Sequence, residues 1–265
     1  MYDTIEVNEL PGVVTVSLNR PSVRNAFNAR MIGELTHIFV CLAQREDIRA
    51  VVLEGNGPSF SAGADVQWMG ATVNSAEEEN IADAQRMATM FEVIDQLPQP
   101  VVGKVHGAAL GGGMGLVAVC DLVVAAEGTL FGFTEARLGI IPAVISPFVI
   151  RKTGESWARA LFTSAERFET NLAKDIGLVH WVCDVGDLNQ VVAARLETLL
   201  SGGPIAVRAA KALVRDLRGL TAEEVRDLTP RRIAVLRSSP EGQEGLRAFL
   251  EKRQAAWRAN SGRNP

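Results

Sequence analysis

Residues Val13–Leu18 (VVTVSL) alternate β-branched and polar side chains and stop at Asn19-Arg20-Pro21, which predicts a strand running into a turn. Helical spacing follows over Asn28–Arg45. The run Ala50–Glu54 (AVVLE) is halted by Gly55-Asn56-Gly57-Pro58, the pattern of a strand buried on both faces and followed by a loop. Ser75-x-x-Glu78 reads as a capping box opening a long helix that Pro98 and Pro100 end. Val101–Val105 and Leu122–Ala125 are again short β-branched runs, and the repeated unit in this half is strand, strand, helix.

Beyond about Arg151 the pattern changes to amphipathic helical stretches, at Ser156–Phe162, Leu188–Leu200 and Ala206–Leu217, with another opened by Thr221-x-x-Glu224. The C-terminal third therefore reads as all-helical. There is no low-complexity linker and no solenoid-length period, so these helices are expected to pack on the β-rich part or on a neighbouring subunit.

Composition narrows the picture. With 265 residues, 47% of them hydrophobic and 22% charged, the chain can bury a large core. A formal net charge of −4 leaves no broad basic face for nucleic acid, so an anionic ligand must be met locally. The three cysteines, Cys41, Cys120 and Cys183, form no C-x-x-C pair, which points away from zinc and from a disulfide framework and fits a reducing cytoplasm. No signal-like start and no apolar run of membrane-spanning length is present, so neither secretion nor a membrane partner is expected.

Three segments carry candidate chemistry. Ser59-Phe-Ser-Ala-Gly-Ala-Asp-Val66 is a small-residue loop directly after a strand, where free backbone N–H groups can face a developing negative charge; taken alone, such a loop is more often a plain tight connection. Gly107–Gly115 (GAALGGGMG) leads from a strand into an apolar helix and would present amides at its N-terminus. It lacks the Lys-Ser/Thr of a P-loop, and close helix–strand packing is the alternative. Phe131–Pro142 sets one carboxylate, Glu135, among apolar residues, where desolvation favours general acid–base work; a salt bridge to Arg137 is the competing reading. His37, His106 and His180 have no metal-ligand spacing, no G-x-S-x-G elbow occurs, and Trp68, Trp157, Trp181 and Trp257 read as packing residues.

In this order and spacing the segments, with Asn19-Arg-Pro21, Arg24-Asn-Ala-Phe27 and Glu244–Arg253, resemble the enoyl-CoA hydratase/isomerase (crotonase) superfamily along nearly the whole chain. The resemblance implies an α/β fold, the crotonase (ClpP-like) spiral of ββα units over residues 1–200. A C-terminal helical region, 201–265, would make trimers or hexamers that are dimers of trimers. It implies an enzyme acting on an acyl-CoA, with coenzyme A as part of the substrate and no other cofactor or metal. By matched position the amides of Ala64 and Gly112 form an oxyanion hole and Glu135 transfers protons. Arg24, Ala26, Phe27, Ala62, Ala64, Asp65, Val66, Gly111, Gly112 and Pro142 fall at substrate- or CoA-binding positions, while Phe249 and Lys252 reach a neighbour's CoA.

The chain also departs from the family pattern. Hydratases of this family usually carry two glutamates, and Gly115 stands at the first. Ile141-Pro-Ala-Val-Ile-Ser-Pro147 replaces a glycine-rich stretch, although the Ala143 amide is expected to remain a donor. Gln67-Trp-Met69, Gly115-Leu116 and Pro142–Pro147 resemble the bacterial methylglutaconyl-CoA hydratase branch, which acts on carboxylated enoyl-CoA substrates. The readings that follow are a hydratase, a 3,2-enoyl-CoA isomerase using one glutamate, and a non-catalytic CoA-ester-binding module.

Overall fold

The structure, a computed structural model, describes residues 2–73 and 75–259. The helical region expected over 201–265 thus ends, as far as it is described, at residue 259. Strands β1 (Ile5–Leu10) and β2 (Val13–Leu18) form an antiparallel hairpin, and α1 (Ala29–Ala43) follows, capped by the Asn28 side chain accepting from the Met31 amide at 2.9 Å. The chain continues through β3 (Ala50–Gly55), α2 (Val66–Thr72), α3 (Glu77–Asp95), β4 (Val101–Val105), β5 (Ala108–Leu110) and α4 (Gly112–Val119). Next come β6 (Leu122–Ala126), β7 (Leu130–Gly132), α5 (Ser146–Ser164, interrupted at Gly154), β8 (Arg167–Phe168), α6 (Thr170–Asp175) and β9 (Trp181–Cys183). Helices α7 (Leu188–Leu200), α8 (Pro204–Asp216), α9 (Ala222–Ser238), α10 (Pro240–Leu250) and α11 (Ala256–Ala259) complete the described chain.

The strands form a six-stranded sheet of order β1-β2-β3-β4-β6-β9, parallel from β2 onward, and a three-stranded sheet β5-β7-β8. Successive strands alternate between them, β4 then β5 before α4, and β6 then β7 before the turn into α5. The strand-strand-helix unit read from sequence is therefore the repeat of the fold. Strand pleating sorts the larger sheet's residues by face: Val14, Val16, Leu18, Val51, Leu53, Val101, Val105, Val123 and Ala125 enter the main core with α1, α3 and α4. Val13, Val52, Val102 and Val124 pack on the other face against Leu188 and Val192 of α7. Burial of both faces is why these strands read as unbroken apolar runs.

Several expectations shift. No Ser75 capping box forms; α3 begins one residue later than that motif requires, with Ala76 at its N-cap and no side-chain cap. Glu77, Glu78 and Glu79 in its first turn complement the helix dipole instead. The chain after Arg151 is not all-helical, because β8 and β9 lie there and β9 extends the large sheet beside β6. Strands of two and three residues are too short to show a period. The helix expected at Ser156–Phe162 is the second part of the longer α5. Trp157 is 42% exposed rather than packed, whereas Trp68 lies against the main core. Among the described residues no helix is long and apolar enough to cross a membrane.

Candidate active site

Three loops leave the carboxyl ends of neighbouring parallel segments and meet at one edge. Ser61 bridges Ala109 of β5 in parallel, and β5 pairs in parallel with β7 through Leu110 and Gly132. The stretches 61–65, 111–112 and 133–135 therefore emerge side by side, at the kind of edge where open α/β sheets hold ligands. Gly111 is drawn against β7 by its amide, which donates to the Gly132 carbonyl at 2.9 Å. Glu135 opens a 3₁₀ turn, Glu135–Leu138, three residues after Gly132.

The orientation of the two amides follows from peptide planarity. The Gly63 carbonyl accepts from the Phe27 amide at 2.7 Å, and the Asp65 amide donates to the Phe27 carbonyl at 2.8 Å. In a trans peptide N–H and C=O point opposite ways, so the Ala64 N–H is turned away from Phe27. Likewise the Gly111 carbonyl accepts from the Met114 amide at 2.9 Å, which directs the Gly112 N–H out of the N-terminus of α4. Neither amide has an acceptor within the described residues.

Glu135 lies against this pair of loops. A Cβ added to Gly111 would stand 3.6 Å from Glu135 Oε1 and 3.8 Å from the Gly63 Cα. Glu135 Oε2 is buried without a hydrogen-bond partner, and burial pushes the carboxyl above the ordinary glutamate range. The alternative salt bridge to Arg137 does not form: Arg137 is exposed, and no ion pair joins the two. A carboxylate held in this way can take a proton from a carbon acid and return it.

The other predicted residues divide. Arg24 and Asn25 occupy a left-handed turn, φ 53° and 55°, whose Arg24 carbonyl accepts from the Ala62 amide at 2.9 Å. Fully buried Asn25 accepts from the Arg20 amide and donates to the Asn56 and Ser59 carbonyls at 2.9 and 2.8 Å, which ties this turn to the first loop. Ala26 and Phe27 are buried, and the Phe27 ring supports α4: a Cβ on Gly112 would meet its Cε2 at 2.7 Å. Asp65, expected at the CoA, has both carboxylate oxygens engaged inside the chain, with Arg20 at 2.7 Å and the Gln67 amide at 2.8 Å. Val66 opens α2, and Pro142 is buried. The Ala143 amide is not a free donor, because it bonds the Ile141 carbonyl at 2.8 Å in a tight turn. Phe249 and Lys252 are exposed at the end of α10, and the single chain does not join them to the three loops.

Gly115 carries more than a missing carboxylate. A Cβ there would overlap Ile145 Cγ2 and lie 2.6 Å from Phe91 Cζ, so the space is filled by apolar side chains. Sequence reading marked the glycine but not its neighbours, since Phe91 and Ile145 lie on α3 and just before α5, with no local signal. The histidines bond within the fold: His37 to Tyr2, His106 to the Gly57 carbonyl, and His180 to the Val123 amide. No group of three or more His, Cys, Asp or Glu suited to a metal occurs among the described residues.

The chain is similar to known proteins along nearly its whole length. Residues 8–260 match the enoyl-CoA hydratase/isomerase family. The crystal structure of an enoyl-CoA hydratase from Shewanella pealeana superposes with a TM-score of 0.92 at 37% identity, covering 96% of each chain. AtuE of Pseudomonas aeruginosa gives 0.93 at 36% identity over 96% of this chain and 99% of its own. The enoyl-CoA hydratase AKT6-1 of Alternaria alternata is 31% identical over 252 residues, 94% of this chain and 82% of its own.

Proposed function

The chain belongs to the enoyl-CoA hydratase/isomerase family, a family of enzymes with the crotonase fold, and from that premise we propose that it is a hydratase adding or removing water at an acyl-CoA thioester. The substrate is a 2-enoyl-CoA or branched 3-hydroxyacyl-CoA, with methylglutaconyl-CoA as the first candidate. The observation that carries the reading is the buried, unpartnered carboxylate oxygen of Glu135 beside the two open amides of Ala64 and Gly112.

In the dehydrating direction Glu135 takes the Cα proton, and the electron pair moves onto the thioester oxygen. The amides of Ala64 and Gly112 stabilise that enolate by about 3 kcal/mol each in a site shielded from water. As the enolate collapses, the C–O bond at Cβ breaks and protonated Glu135 gives its proton to the departing hydroxide, releasing water. Hydration runs the same steps in reverse, with Glu135 as the base on the incoming water. Arg24, Ala62, Ala64, Val66, Gly111 and Gly112 border the CoA ester, and the buried Ala26, Phe27, Asp65 and Pro142 shape its walls from beneath. The reacting groups are Glu135, the thioester and water, with no further cofactor. Phe249 and Lys252 serve a neighbouring subunit in a trimer or a dimer of trimers. Three free cysteines suit a cytoplasmic enzyme.

The apolar filling behind Gly115 favours a second reading, a 3,2-enoyl-CoA isomerase, because a base that moves a proton between two carbons needs no second carboxylate. Loss of the enoyl thioester absorbance on crotonyl-CoA or methylglutaconyl-CoA supports the hydratase. Formation of conjugated product from a 3-enoyl-CoA without uptake of labelled water supports the isomerase. Glu135→Gln should lower kcat by about 10²- to 10⁴-fold in either case while CoA-ester binding persists. Unchanged turnover in that variant refutes the role given to Glu135, and tight binding without turnover on a broad acyl panel leaves a binding module.

A further inference from the structure

We propose that Arg20 is a positioning residue for the reaction, its guanidinium locking the Ala64 amide in line with that of Gly112. The inference rests on the enolate mechanism above. Arg20 Nη2 pairs with Asp65 Oδ2 at 2.7 Å, and Nη1 donates to the Ala26 carbonyl at 2.6 Å. One planar group thereby joins the two segments whose isolated bridge, Phe27 to Ala64, fixes the direction of the Ala64 N–H.

Upstream of the bridge the Ala62 amide on the Arg24 carbonyl, the Ser61 hydroxyl on the Asn25 carbonyl and the Asn25 side chain already tie the two segments, and the guanidinium meets them on the downstream side, at Asp65. The bridge itself consists of two backbone hydrogen bonds outside either named sheet, followed directly by the short helix α2. Asp65 is placed between the two demands: its Oδ1 caps α2 through the Gln67 amide while its Oδ2 meets the guanidinium. The ion pair is well shielded, the side chains being 20% and 7% exposed. Charge-assisted bonds of this kind are short and directional, and a guanidinium can serve two acceptors on diverging lines, which an ammonium on a single carbon stem does less well. A backbone donor is productive only within a narrow range of positions, and a shift of about 1 Å can cost about 100-fold in rate. Among the described residues Arg20 bonds the first loop at Asp65 and makes no bond to Ala64 or Gly112; its influence passes through Asp65 and Ala26.

The test compares wild type with Arg20→Met and Arg20→Lys, using an aryl-substituted 2-enoyl-CoA as probe. Its conjugated thioester absorbs at longer wavelength when two N–H donors polarise the carbonyl. Arg20→Met is expected to lose most of the red shift and about 100-fold in kcat, with the dissociation constant of free CoA unchanged; Arg20→Lys should recover part of both. Where Arg20→Met does not fold, the isosteric Asp65→Asn, which still accepts from Gln67, carries the same comparison. A full red shift with wild-type kcat in a folded variant overturns the inference, as does an equal loss of free CoA binding, which marks collapse of the loop. No red shift in wild type would instead refute the oxyanion reading itself.

Discussion

At the scale of single residues, Glu135 combines a function with a cost. Its carboxyl is pushed above the ordinary range by burial, so the ionised form is disfavoured in the folded protein relative to the unfolded chain. The penalty is absent in acid, below the unfolded pKa of about 4, and grows as pH rises through the higher folded value. Glu135→Gln should therefore raise the melting temperature at pH 7 and leave it unchanged near pH 4; a lower melting temperature at pH 7 would contradict the desolvated environment. The catalytic base is the same ionised form, so the acid limb of kcat should lie above the range of an ordinary glutamate. Much of this was legible in sequence, because apolar neighbours and a glycine-flanked turn surround Glu135. The Arg20–Asp65 pair was not: the partners are 45 positions apart in the chain, and no local pattern couples them.

At the scale of elements, α4 meets two opposing requirements. Its N-terminus must leave an amide open, and its body must fit between Phe27, Phe91 and Ile145. Gly115→Ala is expected to destabilise by about 1–3 kcal/mol through overpacking, read from denaturant midpoints. Gly115→Glu should fail to create a second carboxylate site, since the space is already occupied. Helix α7 was readable to the residue because its period runs over enough positions, and β2 and β4 because their β-branched runs are bounded by proline and glycine. β5, β7 and β9, at three residues each, were hidden inside glycine-rich or turn-like sequence, although β5 and β7 set the register that brings Gly112 and Glu135 together.

For the whole molecule, the helices after β9 are fastened to the core by cations. Arg49 donates to the carbonyls of Leu200 and Gly202, both at 2.7 Å, and Arg208 to those of Arg45, Glu46 and Ile48. Lys211 bridges the Gln99 carbonyl and Asp121. Arg49→Ala should cost about 2–3 kcal/mol, since hydrogen bonds to a charged group are lost and part-buried carbonyls give up their partner. Hydrogen exchange should then report earlier opening of α7 and α8 than of β3 and β4. Equal exchange in all four elements would show that packing alone holds the helices. Amphipathicity predicted these helices but not the means of attachment, because carbonyl acceptors carry no side-chain signature.

Peptide oxygens do not titrate in the range where carboxylates do. Most of the straps between the helical end and the sheet, those from Arg49 and Arg208, therefore keep their acceptors in acid. As the medium acidifies, surface charge pairing should fail well before this docking lets go, and the order of those two events is a property of the backbone rather than of any acidic side chain.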